Sequence, residues 1–179
     1  MSKCTFLLAV GLLAAVPLIG AQGHPDFAGN WILVHRDVAG GEPAGAFGEV
    51  FVAAQAVTGL TIDWHFVGPA GRGTPAKLVY RSVHSAFPFD GRESNVSDIY
   101  ATGSHYQVVD TSAWDRDKLI ITTTWRGGNL PAHVTRKRTL WLDSDGILVV
   151  ECSAPGEKGE PWSTVQSRYR RIDLLQAKR

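Results

Sequence analysis

The chain has 179 residues, with 18 Lys and Arg nearly balanced by 17 Asp and Glu. That balance removes the broad positive footprint of a nucleic-acid-binding protein. A length of this order suits one domain with a sizeable core, and two cysteines are too few for a disulfide scaffold.

The first 23 residues, MSKCTFLLAVGLLAAVPLIGAQG, read as a secretory signal. Lys3 is the positive start, Phe6 to Val16 the apolar run, and Gly20, Ala21 and Gly23 offer small residues for cleavage. The apolar run is short of the roughly 20 residues that span a bilayer, and Pro17 breaks it, so no stable membrane anchor is expected after processing. The expected mature protein is therefore secreted or periplasmic, a single domain over 24–179. Loss of Lys3 leaves 17 basic against 17 acidic residues, and loss of Cys4 leaves only Cys152. One thiol cannot form an intramolecular disulfide. Its setting in ILVVECS suits a buried, inert cysteine.

From residue 29 onward the sequence reads as β-structure. Runs of Val, Ile, Thr and aromatics alternate with Gly, Pro, Asp and Asn about every ten residues. Strands are expected near 29–35, 48–57, 60–67, 76–84, 94–101, 104–114, 118–126, 132–142, 146–153 and 162–172. Between the first two lies RDVAGGEPAGAFG (36–48), and after the third VGPAGRGTP (67–75). Both are Gly- and Pro-rich, suited to lids over a barrel mouth or to plain surface loops. LTIDWHFV shows the clearest period of two, with Leu60, Ile62, Trp64 and Phe66 on one face and Thr61, Asp63 and His65 on the other. Further on, DRD (115–117) and DSDG (143–146) supply tight hairpin turns. The basic clusters RKR (136–138) and RYRR (168–171) alternate as solvent-facing strand positions do, or form a face for an anionic partner.

A meander of eight to ten strands leaves unpaired edges at its first and last strands, and closure into a barrel removes them. The expected fold is all-β, an antiparallel up-and-down β-barrel; a two-sheet sandwich is the alternative. Five aromatics sit mid-strand on these segments: Trp64, Phe66, Tyr80, Tyr106 and Trp125. Facing inward they would line a pocket for a small, largely apolar ligand, with the Tyr80 or Tyr106 hydroxyl to orient it; otherwise they fill a core. Polar Ser82, Gln107, Thr122 and Thr124 mark one wet face, inside or out.

Motifs for catalysis, metal or cofactor binding are absent: no GxSxG, CxxC, HExxH or phosphate loop occurs. No strand carries two histidines on one face. Asp63 and His65 share a face, but it is opposite to the aromatic one. The sequon Asn95-Val96-Ser97 has meaning only in a source that glycosylates exported proteins.

The opening stretch DFAGNW (26–31) carries a resemblance. Gly29-Asn30-Trp31 is similar to the G-x-W signature that opens the first strand of lipocalins and related calycin barrels. DFAGNW, FDGRE (89–93), WDRDKLII (114–121), DSDGILVV (143–150) and SRYRR (167–171) together resemble small exported bacterial lipocalin-like proteins of unknown function, across nearly the whole mature chain. Arg116 stands where that pattern has a turn Gly, and the typical lipocalin disulfides have no counterpart. The resemblance implies that Gly29 and Trp31 close one barrel end, with Arg168 or Arg170 of the last strand lying over the indole. It also implies a carrier of a small apolar molecule without catalysis. Two other functions remain compatible: a barrel enzyme of isomerase or cyclase type, for which His84 and His105 are candidate lumenal groups, and a filled barrel acting in envelope interactions.

Overall fold

The computed structural model describes residues 23–37, 47–69, 78–101, 104–127, 130–155 and 162–173. Residues 1–22, which make up all but the last residue of the expected signal, most of 36–48 and most of 67–75 lie outside the described residues. Ten strands form one antiparallel sheet: β1 Gly29–Arg36, β2 Val50–Ala56, β3 Gly59–Pro69, β4 Leu78–Pro88, β5 Ser94–Ala101, β6 Ser104–Asp115, β7 Lys118–Gly127, β8 Leu130–Leu142, β9 Leu148–Ala154 and β10 Ser163–Ile172. The order is β4-β3-β2-β1-β10-β9-β8-β7-β6-β5. The first and last strands therefore pair, which joins the two chain ends, and the sheet curls into a nearly closed barrel. The described residues contain no helix.

Alternation along each strand decides what enters the barrel. Trp31 is opposite Arg171 on β10 and Phe51 on β2, and Phe51 is opposite Trp64 on β3. The same inner face continues through Leu119, Ile121 and Thr123 of β7, Leu140 of β8, Leu148 and Val150 of β9, and Tyr169 of β10. At one end this face is solid. Trp31, Phe47, Phe51, Phe87 and Tyr169 are all buried and meet at ring-centroid distances of 5.0–6.5 Å, and Phe27, also buried, stacks on Trp114 at 5.6 Å. Each such aromatic contributes about 1.5–3 kcal/mol on burial, so this end is where the fold's stability is concentrated.

DFAGNW is built for that end. The Trp31 indole N–H donates to the Phe27 carbonyl at 2.9 Å, and the Asp26 side chain accepts from Ala28 N–H. Gln55 on β2 clips the same segment, accepting from Phe27 N–H and donating to the Pro25 carbonyl. The guanidinium over the Trp31 ring belongs to Arg171, at 4.9 Å, and it also donates to the Asp26 carbonyl at 2.7 Å. Neither Arg168 nor Arg170 takes that place. Arg168 lies on the opposite parity and pairs with Asp143 at 3.0 Å, while Arg170 is exposed on that same outer parity. Gly29 makes room for the cation: its φ is +140°, and a Cβ there would come within 3.1 Å of Arg171 Nε.

The turns match their residues. In β6–β7 only Arg116 and Asp117 separate the paired Asp115 and Lys118, and Arg116 holds φ +58° where the resemblance expects Gly. In DSDG, Asp143 Oδ1 accepts from Asp145 and Ile147 N–H, and Gly146 takes the positive φ of 73°.

Candidate ligand-binding site

The ladder is interrupted between β4 and β5. Side chains close the lower part of this seam. Asn95, at φ +50°, accepts from Ala86 N–H at 2.8 Å and donates back to the Ala86 carbonyl at 3.0 Å, as a paired strand residue would. Ser112 Oγ donates to the Pro88 carbonyl, and the Ser112 carbonyl accepts from Gly91 N–H. The asparagine of the sequon is thus committed to holding the barrel shut.

Above this clip a cavity of about 380 Å³ opens between the two strands. Val83, His84 and Ser85 flank it on β4, and Asn95, Val96 and Ser97 on β5. Apart from Val108 of β6, its deeper wall is polar: Asp110 of β6, Thr123 of β7, and Arg136 and Arg138 of β8. Asp110 is held by Thr123 Oγ1 at 2.6 Å and by Asn95 Nδ2 at 3.0 Å. Arg138 is 9% exposed and lies 5.5 Å over the ring of Phe47, whose side chain roofs the packed end. Burial, and then the neighbouring Arg136, lower the pKa of Arg138, while Asp110 and Cys152 act the other way. Across the ladder from Arg138 sits Cys152, buried as the sequence suggested, with its thiol pushed up chiefly by burial. Arg36 reaches inward too, donating to Ser167 Oγ at 3.3 Å.

RKR is therefore not a solvent-facing cluster. Arg136 and Arg138 share the parity of Leu140 and enter the barrel; only Lys137 between them is exposed. Ser82, exposed, and Thr122, Thr124 and Gln107, all half-buried, lie on the opposite parity, so the polar face left open by the sequence is the outside. His84 and His105 are outside as well. His84 pairs with Asp63 at 2.7 Å and His105 with Asp98 at 2.9 Å, all four exposed, because each imidazole belongs to the outer parity of its strand. Neither is a lumenal acid or base.

Three of the five aromatics expected to line a pocket are half-buried on the inner face, but none of the three lines the seam cavity. Trp64 stands between Phe51 and Val83 in the register, and Tyr106 packs against Trp125 at 6.2 Å between centroids. The backbones of Phe66 and Tyr80 belong to β3 and β4, opposite Arg81 and Val67, but their side chains lie outside the described residues. Among the described residues no cluster of three His, Cys, Asp or Glu side chains is arranged for a metal. No protein-family model and no curated protein matches the chain. The lipocalin-like reading accordingly rests on the barrel and on the motifs at its closed end.

Proposed function

We propose that this is an exported carrier that holds a small molecule in the open half of a lipocalin-like barrel, its largely apolar part against Trp64, Tyr106 and Trp125. One contrast supports this reading: one end of the barrel is filled by buried aromatics, while the other half keeps a cavity of about 380 Å³ between β4, β5 and β8. A barrel serving only as a structural body has no need of that asymmetry. The volume falls in the range of small-ligand sites, which bury apolar surface and use a few placed polar groups for orientation. A catalytic role has lost the two imidazoles first considered for it, which lie on the outside.

The test is native mass spectrometry of the protein from an exporting host, with organic extraction of whatever is released on denaturation. A reproducible adduct, diminished by Trp125→Ala at unchanged melting temperature, is the expected result. Loss of stability in Trp125→Ala with no adduct in either form would return the aromatics to the core and overturn the carrier reading.

A further inference from the structure

The charges inside the barrel point to one class of ligand. A buried guanidinium is costly unless an anion and hydrogen bonds compensate it. The deep wall of the seam cavity holds two guanidiniums, Arg136 and Arg138, against one carboxylate, Asp110. Both Asp110 oxygens are already engaged, by Thr123 and Asn95. Arg136 Nε is buried without a hydrogen-bond partner among the described residues. Among the described lining residues the wall thus carries a formal excess of one positive charge, and the buried Nε of Arg136 is an unsatisfied donor within it.

We infer that Arg136 and Arg138 bind the carboxylate of an amphiphilic monoanion, admitted through the β4–β5 seam. This rests on the carrier reading above and adds the ligand's head group to it. A monoanion balances the excess charge, whereas a dianion such as a phosphate monoester would leave Asp110 facing surplus negative charge. Guanidinium is suited to the task because its planar fork matches the two oxygens of a carboxylate. The apolar tail then runs toward the half-buried aromatics of β3, β6 and β7, and Phe47 limits its depth.

Calorimetric titration of the purified protein with octanoate, octan-1-ol and octyl phosphate tests this. Charge-assisted hydrogen bonds of this kind imply octanoate binding about ten- to a hundredfold tighter than octan-1-ol, and tighter than octyl phosphate. Unspecific partition into an apolar lumen gives the reverse order for the first two. Arg136→Gln should bring octanoate down to the affinity of octan-1-ol and leave octan-1-ol itself unchanged. Arg136 is half-buried, so this variant keeps the test open if Arg138→Gln does not fold. Equal binding of octanoate and octan-1-ol overturns the carboxylate inference and leaves the carrier intact, as does an equal loss of both ligands in Arg136→Gln. Tighter binding of octyl phosphate than of octanoate overturns the monoanion assignment. Binding of none of the three overturns both readings.

Discussion

Replacing Trp31 by Ala removes the centre of the packed end. The ring is fully buried, and emptying such a site costs about 3–5 kcal/mol. The Phe27 carbonyl also loses the indole N–H it accepts at 2.9 Å, adding about 1 kcal/mol. The sum, about 4–6 kcal/mol, approaches the whole stability of a domain with a modest margin. At a urea dependence of about 2 kcal/mol per molar, the midpoint should fall by about 2–3 M. Far-UV circular dichroism is the suitable probe, since six tryptophans make fluorescence changes hard to assign to one of them. Arg171→Ala should cost about 1 kcal/mol, for one cation–π contact and one exposed hydrogen bond. The double variant should be milder than the sum by about 0.5–1 kcal/mol, the coupling of guanidinium to ring. Ligand affinity in any folded fraction should be unchanged. A midpoint shift below about 0.5 M for Trp31→Ala would refute the claim that this end carries the stability. Additivity in the cycle would refute the stacking of Arg171 as an energetic contact.

Asn95→Asp keeps the acceptor toward Ala86 N–H but turns the donor into a second acceptor facing the Ala86 carbonyl and Asp110; a loss of about 2–3 kcal/mol is expected in urea titrations, more than for Asn95→Ala. Arg116→Gly should raise stability, by up to about 1 kcal/mol, because the position holds φ +58°; a decrease would mean that the side chain contributes more than the strain removes. Burial raises Cys152 above its ordinary 9.0 and Tyr169 above its ordinary 10.0. Both are neutral when protonated, so their contribution is complete below those values and is lost as pH rises through the folded ones. Urea midpoints should accordingly fall above pH 9, and Cys152→Ala should move the onset up toward the tyrosine; an onset identical in both proteins would exclude the thiol.

The strands were legible because their causes are local. LTIDWHFV has the alternation of a sheet with one wet face, and Asp63 is indeed outside while Ile62 is inside. DSDG has the side-chain acceptor and the glycine that its turn requires. What depends on register was not legible. The choice among Arg168, Arg170 and Arg171 turns on which one faces Trp31 across β1–β10, a pairing whose bulge between Leu33 and His35 shows in no local pattern. The position of the seam was equally hidden. FDGRE looks like a hairpin turn, yet the strands around it are held by the Asn95 side chain on Ala86 and by Ser112 of β6 on Pro88, 24 residues away, rather than by a ladder.

The two arginines of the cavity are a different case, because a signal was present. Arg136 and Arg138 continue the parity of Leu140 and Leu142, while Lys137 shares its face with Thr135, Thr139 and Trp141. A basic triplet in a strand invites the reading of a wet face, and the leucines of the same strand argue against it. Counted outward from the packed end, the inner residues of β8 run from apolar to charged. Those of β6 run the same way, from Trp114 through Ser112 to Asp110, and β7 passes from Leu119 and Ile121 to Thr123. Three neighbouring strands thus change character at the same height of the barrel. A core that only needed to be filled would have no reason to place opposite charges there, at about one strand-pair's reach from the seam. That polar level coincides with the break in the ladder, and the proposed carrier site is built on this coincidence.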